Sequence, residues 1–306
     1  MQQNKKDEPL KVVFRTEYED SVENSSIVIK EGIEEICEDT FAGFENLKKI
    51  TFPKSLRLVK AGAFSGCKNL ESVVMNEGLL EIGDEAFSFC PSIKSINMPD
   101  TVKRIGEGAF EGCASLTSLK LSESIYMIGA GAFAFCFNLV DLTIPDSCVL
   151  VEFNAFANCF SLEGVKLSDS MTLIDESTFE GCRSLKYVDL PSRLSRISRR
   201  AFKGCSSLKS LILPLSIDSI GFDAFAKCKS LERIAIPYTV REIEDEDIFN
   251  SCDSLTEISY GGSLEEWEML CHSKSLTIEK SDLSVYTPRI TFLNLNKKKG
   301  GEDIEI

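Results

Sequence analysis

The sequence predicts a β-rich α/β repeat solenoid, with parallel strands stacked along one face and a helix-containing cap at the C-terminal end. Three observations predict it. A phenylalanine returns every 23 residues through most of the 306-residue chain. A fixed apolar pattern accompanies each phenylalanine, and a proline often follows that pattern. Because the few inward side chains of one repeat cannot form a core alone, the repeats must stack and bury their faces against one another.

The repeat phenylalanines set the register, with nine spaced by 23 residues and a tenth that follows after 24. They are Phe41, Phe64, Phe87, Phe110, Phe133, Phe156, Phe179, Phe202, Phe225 and Phe249. We call each repeat a rung and number the rungs 1 to 10 by these residues. A leucine or isoleucine follows six residues later, and a pair such as Leu119 with Leu121 alternates behind it. This alternation predicts a short strand with one inward face.

A proline such as Pro99 ends the strand in many rungs, because proline cannot donate the next hydrogen bond of a β-ladder. A second apolar pair, such as Val102 with Ile105, then leads back to the next Ala-Phe. Cys148 fills the slot that holds Val102 in rung 4, so we predict that it is a core residue.

Four segments follow from this register. They are an N-terminal tail and entry cap (1–26), the solenoid with a partial entry rung and ten repeats (27–260), a C-terminal cap (261–295) and a charged tail (296–306). The entry rung is predicted from the apolar slots of Ile27, Ile29, Ile33 and Ile36, covered by the apolar stretch 10–14.

The C-terminal cap carries a recognisable helix start. Ser263 and Glu266 have the Ser-x-x-Glu spacing of a capping box, which predicts a short helix. We expect Leu264, Trp267 and Leu270 on one side of it, closing the open end of the core. Residues 276–295 alternate weakly and are predicted to add strands to the cap.

The full pattern resembles the BspA-like (Treponema-type) leucine-rich repeat family. Residues 213–234, LPLSIDSIGFDAFAKCKSLERI, show that pattern nearly whole, and the YGG…EEW cap is also similar. The resemblance implies a right-handed, mildly curved leucine-rich-repeat solenoid with parallel strands on one face. It also implies proteins that are often found on bacterial or protist surfaces, where some members adhere to host matrix proteins.

Composition narrows the class of function. Hydrophobic residues make up 43% and charged residues 27% of a chain with net charge −14, which describes a soluble acidic protein and disfavours nucleic-acid binding. No apolar run approaches the ~18 residues of a membrane span, and the start MQQNKKDEPLKVVF lacks the apolar region of a secretory signal. We therefore expect a cytoplasmic protein without membrane insertion, with the cell surface as the alternative that the resemblance implies.

Nine cysteines recur three residues after the repeat phenylalanines. They are Cys67, Cys90, Cys113, Cys136, Cys159, Cys182, Cys205, Cys228 and Cys252. A metal site is disfavoured, because the chain has no Cys-x-x-Cys pair and its one histidine, His272, lies in the cap beside Cys271. Disulfides between adjacent rungs would join Cα atoms ~5 Å apart, but parallel side chains would have to twist to meet. We therefore predict reduced thiols packed in the core, and no cofactor.

Neither the hydroxyls nor the glycines of the repeat indicate an enzyme. The residue before each repeat leucine is always Ser or Asn, which predicts a turn-holding column without a base to activate a nucleophile. Gly83, Gly106, Gly129 and Gly221 recur with the period, so we assign them to turns rather than to a phosphate-binding loop.

Rungs 5 to 7 carry surplus apolar residues. Five of them hold slots that are charged in other rungs: Tyr126, Met127, Val149, Leu150 and Leu173. Four more are phenylalanines at slots that are usually small or polar: Phe135, Phe137, Phe153 and Phe160. If they point outward they form one patch for a protein partner or for self-association; the alternative is that they thicken the local core.

Three further features are candidates for binding. Tyr187, Ile212 and Tyr238 interrupt a polar strand face and are possible anchors. Positive charge concentrates at Arg193, Arg196, Arg199, Arg200 and Lys203, where it either receives an acidic partner or pairs with acids of neighbouring rungs. Acids occupy one slot of five successive rungs, where they either line a solvated turn or bind a cation: Glu77, Asp100, Glu123, Asp146 and Asp169.

Together these observations predict a non-catalytic scaffold for protein–protein interaction. The alternative is a cell-surface adhesin of the BspA-like type that binds a host matrix protein or a glycan. A third hypothesis is a rod that self-assembles.

Overall fold

The structure is a computed structural model that describes residues 12–13, 25–244, 246–271, 278–279, 285–286 and 288–292. In the first half of the chain the strands are β1 Val12–Val13, β2 Ser26–Val28, β3 Glu35–Ile36, β4 Lys49–Thr51, β5 Leu58–Val59, β6 Ser72–Val74, β7 Glu81–Ile82, β8 Ser95–Asn97, β9 Arg104–Ile105, β10 Ser118–Lys120, β11 Met127–Ile128, β12 Asp141–Thr143 and β13 Leu150–Val151. In the second half they are β14 Gly164–Lys166, β15 Leu173–Ile174, β16 Tyr187–Asp189, β17 Arg196–Ile197, β18 Ser210–Ile212, β19 Ser219–Ile220, β20 Arg233–Ile236, β21 Glu242–Ile243, β22 Glu257–Tyr260, β23 Ile278–Glu279, β24 Val285–Tyr286 and β25 Arg289–Phe292. A 3-10 helix spans Glu246–Phe249, and the helix α1 spans Leu264–Leu270.

These elements form a parallel β-solenoid of about ten turns with the leucine-rich-repeat fold, as the period predicts. Each rung supplies one strand of three or four residues and one of two. The longer strands pair as β2-β4-β6, β8-β10, β12-β14-β16 and β18-β20-β22-β25. The shorter strands pair as β1-β3-β5-β7-β9-β11-β13 and β15-β17-β19-β21. The two-residue strands β23 and β24 pair with each other in antiparallel fashion.

The repeat phenylalanines form a continuous column in the core. Each ring is fully buried and stacks on the next with centroids 5.0 Å to 5.9 Å apart, as between Phe64 and Phe87. The nine ladder cysteines and Cys148 are fully buried beside them. Phe44, which takes the cysteine slot in rung 1, is also buried and packs edge-on against Phe41. The predicted core is confirmed.

One backbone slot of the rung is left-handed throughout. It lies two residues after the repeat phenylalanine, and all ten occupants have φ between 53° and 77°. They are Gly43, Gly66, Phe89, Gly112, Phe135, Asn158, Gly181, Gly204, Lys227 and Ser251. The backbone N–H at this slot donates to the next rung, as from Phe89 to the oxygen of Glu111 at 2.7 Å. The slot therefore links rungs while its side chain is free to face outward.

The glycines of the IGxxAF pattern have a different role from the predicted one. Gly129 directly follows β11, and its φ is not left-handed. A Cβ there would lie 2.7 Å from the nitrogen of Glu107 and 2.7 Å from the carbonyl carbon of Gly106. The turn assignment is therefore corrected: glycine is required because the backbones of successive rungs touch at this point.

The C-terminal cap closes the core with α1. Ser263 accepts a hydrogen bond from the Glu266 backbone and donates its own N–H to the Glu266 carboxylate, so the predicted capping box forms. Trp267 and Leu270 are buried, and the Trp267 ring lies 5.1 Å from that of Tyr260. Leu264 is 53% exposed, so its predicted place on the buried side is wrong. Helical side chains point toward the N-terminus, and that of the first residue projects past the helix end.

The predictions for the chain ends are only partly covered by the described residues. β1 pairs with β3, and Val13 is buried over the entry rung. The remainder of 10–14 and His272 lie outside the described residues. Within the described ranges, no group of three His, Cys, Asp or Glu side chains is arranged to hold a metal ion, and no helix has the length and apolar character of a membrane span.

Candidate functional site

Exposed phenylalanines cluster on the turns that follow the short strands in rungs 3 to 6. We call Phe89, Phe135, Phe137, Phe153 and Phe160 the aromatic patch. Phe89 is 58% exposed, Phe135 40% and Phe153 49%. Four members were predicted from the sequence. Phe89 was missed, although an aromatic residue at a slot that holds glycine in five rungs was a visible signal.

Three members of the patch, Phe135, Phe137 and Phe160, contact one another in series. Phe135 meets Phe137 edge-on at 6.1 Å, and Phe137 stacks on Phe160 at 4.8 Å. The guanidinium of Arg183 lies 4.2 Å from the Phe160 ring centroid, a cation–π contact. Phe160 is thus half-buried between a ring and a cation, whereas Phe135 and Phe137 stay exposed.

A surface cavity of about 280 Å³ opens beside Phe135 and Phe153, which both line it. Glu85, Glu107 and Glu111 also line it. Alanines and glycines of rungs 4 to 6 complete the lining, together with Asn154 and Asn158. Two aromatic rings and three acids therefore line the same cavity. None of the three acids was predicted from the sequence.

The three carboxylates lie close enough to repel one another. A Cβ on Gly108 would lie 3.4 Å from both the Glu111 carboxylate and the Glu85 Cγ, so these side chains converge there. Burial raises the pKa of Glu111, and the charges of Glu85 and Glu107 raise it further. Among the described residues, no lysine or arginine lies within 4.0 Å of these carboxylates. The cavity is acidic and its charge is uncompensated.

The other surplus apolar residues lie on the short strands or, for Tyr126 and Val149, directly before them. Tyr126, Val149 and Leu150 are exposed, whereas Met127 and Leu173 are half-buried. Met127 and Leu150 are register partners in β11 and β13.

Glu152 stands in the chain between this short-strand group and Phe153, and its carboxylate accepts the N–H of Ala130 at 3.1 Å. The nine predicted residues thus form two groups, this short-strand group and the four phenylalanines on the turns that follow the short strands.

The anchors predicted on the strand face, Tyr187, Ile212 and Tyr238, are exposed. Tyr187 pairs in register with Gly164 of the neighbouring strand, and its ring occupies the space that a Gly164 side chain would need. Ile212 ends β18, and Tyr238 follows β20 after one proline. All three are more than half exposed.

The basic cluster is mostly paired within the molecule. The ion pairs are Arg196 with Glu244 at 2.8 Å, Arg199 with Glu176 at 3.8 Å, and Arg200 and Lys203 with Asp223. Arg193 is exposed and has no ion pair within 4.0 Å in the described part of the chain. Of the two predicted alternatives, three of the five cations pair with acids of neighbouring rungs, and Arg196 pairs with an acid two rungs away.

The acidic column supports turns. An Asp100 carboxylate oxygen accepts the N–H of Glu123 at 3.3 Å, and Asp146 accepts that of Asp169 at 3.0 Å. All five acids are exposed. These two hydrogen bonds each tie one turn to the next and agree with the solvated-turn alternative.

Other exposed apolar residues were not selected from the sequence. They are Val28, Leu80, Val140, Leu215, Phe222 and Met269. They are scattered singly over the rungs, which is common on protein surfaces.

Comparison with solved structures finds several bacterial leucine-rich-repeat proteins. A leucine-rich cell surface protein from Faecalibacterium prausnitzii A2-165 is 27% identical over 81% of this chain and 82% of that protein, with a TM-score of 0.46. A leucine-rich repeat protein from Bacteroides ovatus is 24% identical over 87% of this chain and 83% of that protein, with a TM-score of 0.47. The leucine-rich repeat protein of T. pallidum is 25% identical over 60% of this chain and 77% of that protein, with a TM-score of 0.45.

No curated protein compared with the chain matches it. The family model described as the BspA-type leucine-rich repeat region matches residues 34–163 and 149–279. These matches span most of the chain and coincide with the stacked rungs. The chain belongs to the BspA-type leucine-rich repeat family.

Proposed function

We propose that the protein is a non-catalytic scaffold that binds a protein partner through the aromatic patch. The observation that carries the proposal is the backbone at Phe89 and Phe135. Both phenylalanines hold left-handed φ values, 53° and 61°, at the slot where five other rungs have glycine.

This placement costs stability. A left-handed backbone costs an L-residue roughly 1–2 kcal/mol, which glycine does not incur. The two side chains recover little of that cost in the free protein, because each leaves much of its ring in water. Strained residues that persist on a surface are a recognised mark of function.

Binding of a protein partner would offset the free-energy cost of the left-handed backbone at these two phenylalanines. An aromatic side chain can bury roughly 150–250 Å² and supplies much of the energy of many interfaces. Phe135 and Phe137 already contact each other, so they offer a pre-positioned edge rather than two mobile rings. Rigid aromatic anchors lose little conformational entropy on binding.

The test compares proteins captured from the source organism by the wild type and by a Phe135→Gly/Phe137→Ser variant. We expect the captured amount of at least one protein to be lower by about tenfold or more with the variant. A tenfold loss of affinity corresponds to about 1.4 kcal/mol of binding free energy. The same proteins captured equally by both would overturn the proposal.

The control is Lys227→Gly, which changes the same backbone slot in rung 9, away from the patch. It should leave capture unchanged. Urea unfolding of all three proteins separates binding from folding. Glycine fits the slot and Phe137 is exposed, so neither Phe135→Gly/Phe137→Ser nor Lys227→Gly should lose more than about 1 kcal/mol.

The location of the protein is a separate matter. The cytoplasmic expectation gains no support from the comparisons, in which one similar structure is described as a cell surface protein. A surface adhesin would use the same patch on a host protein. Fractionation of source cells with an antibody against this chain distinguishes the two locations.

A further inference from the structure

The cavity beside Phe135 and Phe153 has the chemistry to select a partner by charge. We propose that it receives a lysine or arginine side chain of the partner, whose neighbouring apolar residues lie on the aromatic patch. The inference rests on the proposed function and names the class of segment that the scaffold would bind, a basic segment flanked by apolar residues.

The size of the cavity favours a side chain. Pockets for drug-sized molecules run from roughly 300 to 1,000 Å³, and this one is about 280 Å³ and open to solvent. A single long side chain, with its aliphatic stem against the rings, suits such a space.

Because the lining is acidic, we expect the group that occupies the cavity to carry a positive charge. Glu85, Glu107 and Glu111 have no described cation within 4.0 Å, and their mutual repulsion is part of the reason that the pKa of Glu111 is raised. A cation between them would remove this repulsion. The net charge of −14 would also attract a basic segment over longer distances.

The rings add a second attraction for a cation. Phe135 and Phe153 also line the cavity, and a cation within ~6 Å of a ring face is attracted by the quadrupole of the ring. The molecule already contains this kind of contact, since Arg183 lies 4.2 Å from the Phe160 ring centroid. A bare divalent ion is a poorer fit, because among the described residues no three acidic side chains are arranged to hold a metal ion.

Peptide selection tests the proposal on the full chain. A phage-displayed library of random 12-residue peptides is panned on the wild type, and selected peptides are synthesised for Kd measurement by fluorescence anisotropy. We expect enrichment of Lys or Arg next to apolar residues, and affinity that falls as salt rises. Selected peptides without enriched basic residues would overturn the proposal.

Two variants locate the binding. Glu107→Gln/Glu111→Gln removes two charges with little change of shape and should weaken selected peptides by about tenfold or more. Glu77→Gln/Glu123→Gln removes the same charge from the exposed acidic column and should have a several-fold smaller effect. Equal losses in the two double variants would reduce the effect to general attraction and overturn the site.

The variants also separate this proposal from the one on which it rests. Peptides that lose affinity with Phe135→Gly/Phe137→Ser but not with Glu107→Gln/Glu111→Gln would keep the patch and overturn the charge selection. Peptides unaffected by either variant would overturn both. Light scattering of the full chain tests the other occupant: self-association that Glu107→Gln/Glu111→Gln abolishes would assign the cavity to a second copy and overturn the partner segment.

Discussion

The thiol of Cys136 donates a hydrogen bond to the backbone oxygen of Phe110, with a sulfur–oxygen distance of 3.4 Å. The same oxygen accepts the backbone N–H of Cys113 at 3.2 Å. The thiol-to-phenylalanine bond recurs for all nine ladder cysteines, at 3.0 Å to 3.4 Å. Cysteine therefore fills the core and also links each rung to the one before it, which an aliphatic residue of similar size could not do.

Replacing a ladder cysteine should cost more than its volume suggests. Cys136→Ala removes the sulfur and its hydrogen bond, and we expect the free energy of unfolding to fall by about 1–3 kcal/mol. Cys37→Ala, at a half-buried position outside the ladder, should change it by less than about 0.5 kcal/mol. Urea unfolding measures both; equal changes would contradict the linking role.

The ladder thiols should be inert in the native protein. Burial raises the pKa of Cys113, Cys182 and Cys228 to about 12, and only the thiolate reacts readily. We expect iodoacetamide at neutral pH to modify these residues only after unfolding in urea, as read by peptide mass spectrometry. Comparable labelling of Cys113 in the native and unfolded protein would contradict the packing described above.

Two glycines of rung 5 should respond differently to the same substitution. Gly129→Ala forces a Cβ to within 2.7 Å of the backbone of rung 4, so we expect a loss of more than about 2 kcal/mol. Gly131→Ala meets no atom within 4 Å and is disfavoured only by its φ of +61°, which costs about 1 kcal/mol. Thermal and urea unfolding rank the two variants, and the reverse order would refute the contact between rungs.

Tyr187 and Gly164 should be energetically coupled. Gly164→Ala alone displaces the Tyr187 ring. In a Tyr187→Ser background the ring is gone, and alanine should stabilise the strand by about 0.5–1 kcal/mol. A double-mutant cycle should give a coupling of at least about 0.5 kcal/mol; additive effects would show that the ring does not cover the glycine.

Binding of a basic peptide should strengthen as the pH rises. Burial, Glu85 and Glu107 together raise the pKa of Glu111, so Glu111 becomes charged at a higher pH than an unperturbed glutamate does. A cationic ligand favours the charged form and should release a proton on binding at acid pH. We expect weaker binding near pH 4 than near pH 7, and a smaller change in Glu111→Gln; a flat profile in the wild type would contradict the acidic cavity.

The same raised pKa has the opposite effect on the unliganded fold. The folded state holds the Glu111 proton more tightly than the unfolded chain does, so this residue favours folding at low pH and loses that contribution as the pH rises through its raised value. In Glu111→Gln this part of the pH dependence of stability should disappear.

The sequence predicts the fold well because each column repeats ten times. A single buried Phe133 or Cys136 is ambiguous, but ten occupants of one slot define its inward direction. Contacts between long surface side chains cannot be predicted from the repeat in this way. Arg196 pairs with Glu244, 48 positions away, and no periodic rule selects that acid over nearer ones.

The candidate site was harder to predict than the fold. Phe135 stood out because its rung has a second extra phenylalanine, Phe137, whereas Phe89 is the single extra phenylalanine of its rung and was missed. The acids of the cavity are ordinary surface residues in the sequence. Only the folded turns bring Glu85, Glu107 and Glu111 of rungs 3 and 4 into one cavity with Phe135 and Phe153 of rungs 5 and 6.

The stacked rungs also fix the spacing of the exposed phenylalanines along the axis of the solenoid. Phe89 and Phe135 hold the same slot two rungs apart, and the buried rings beside them advance by 5.2 Å at each step. The two exposed rings are thus about 10 Å apart along the axis, which an extended peptide covers in about three residues. A segment lying parallel to the axis in the polyproline II conformation, which has three residues per turn, would present contacts at positions i and i+3 on one side, and it could change register only by whole rungs.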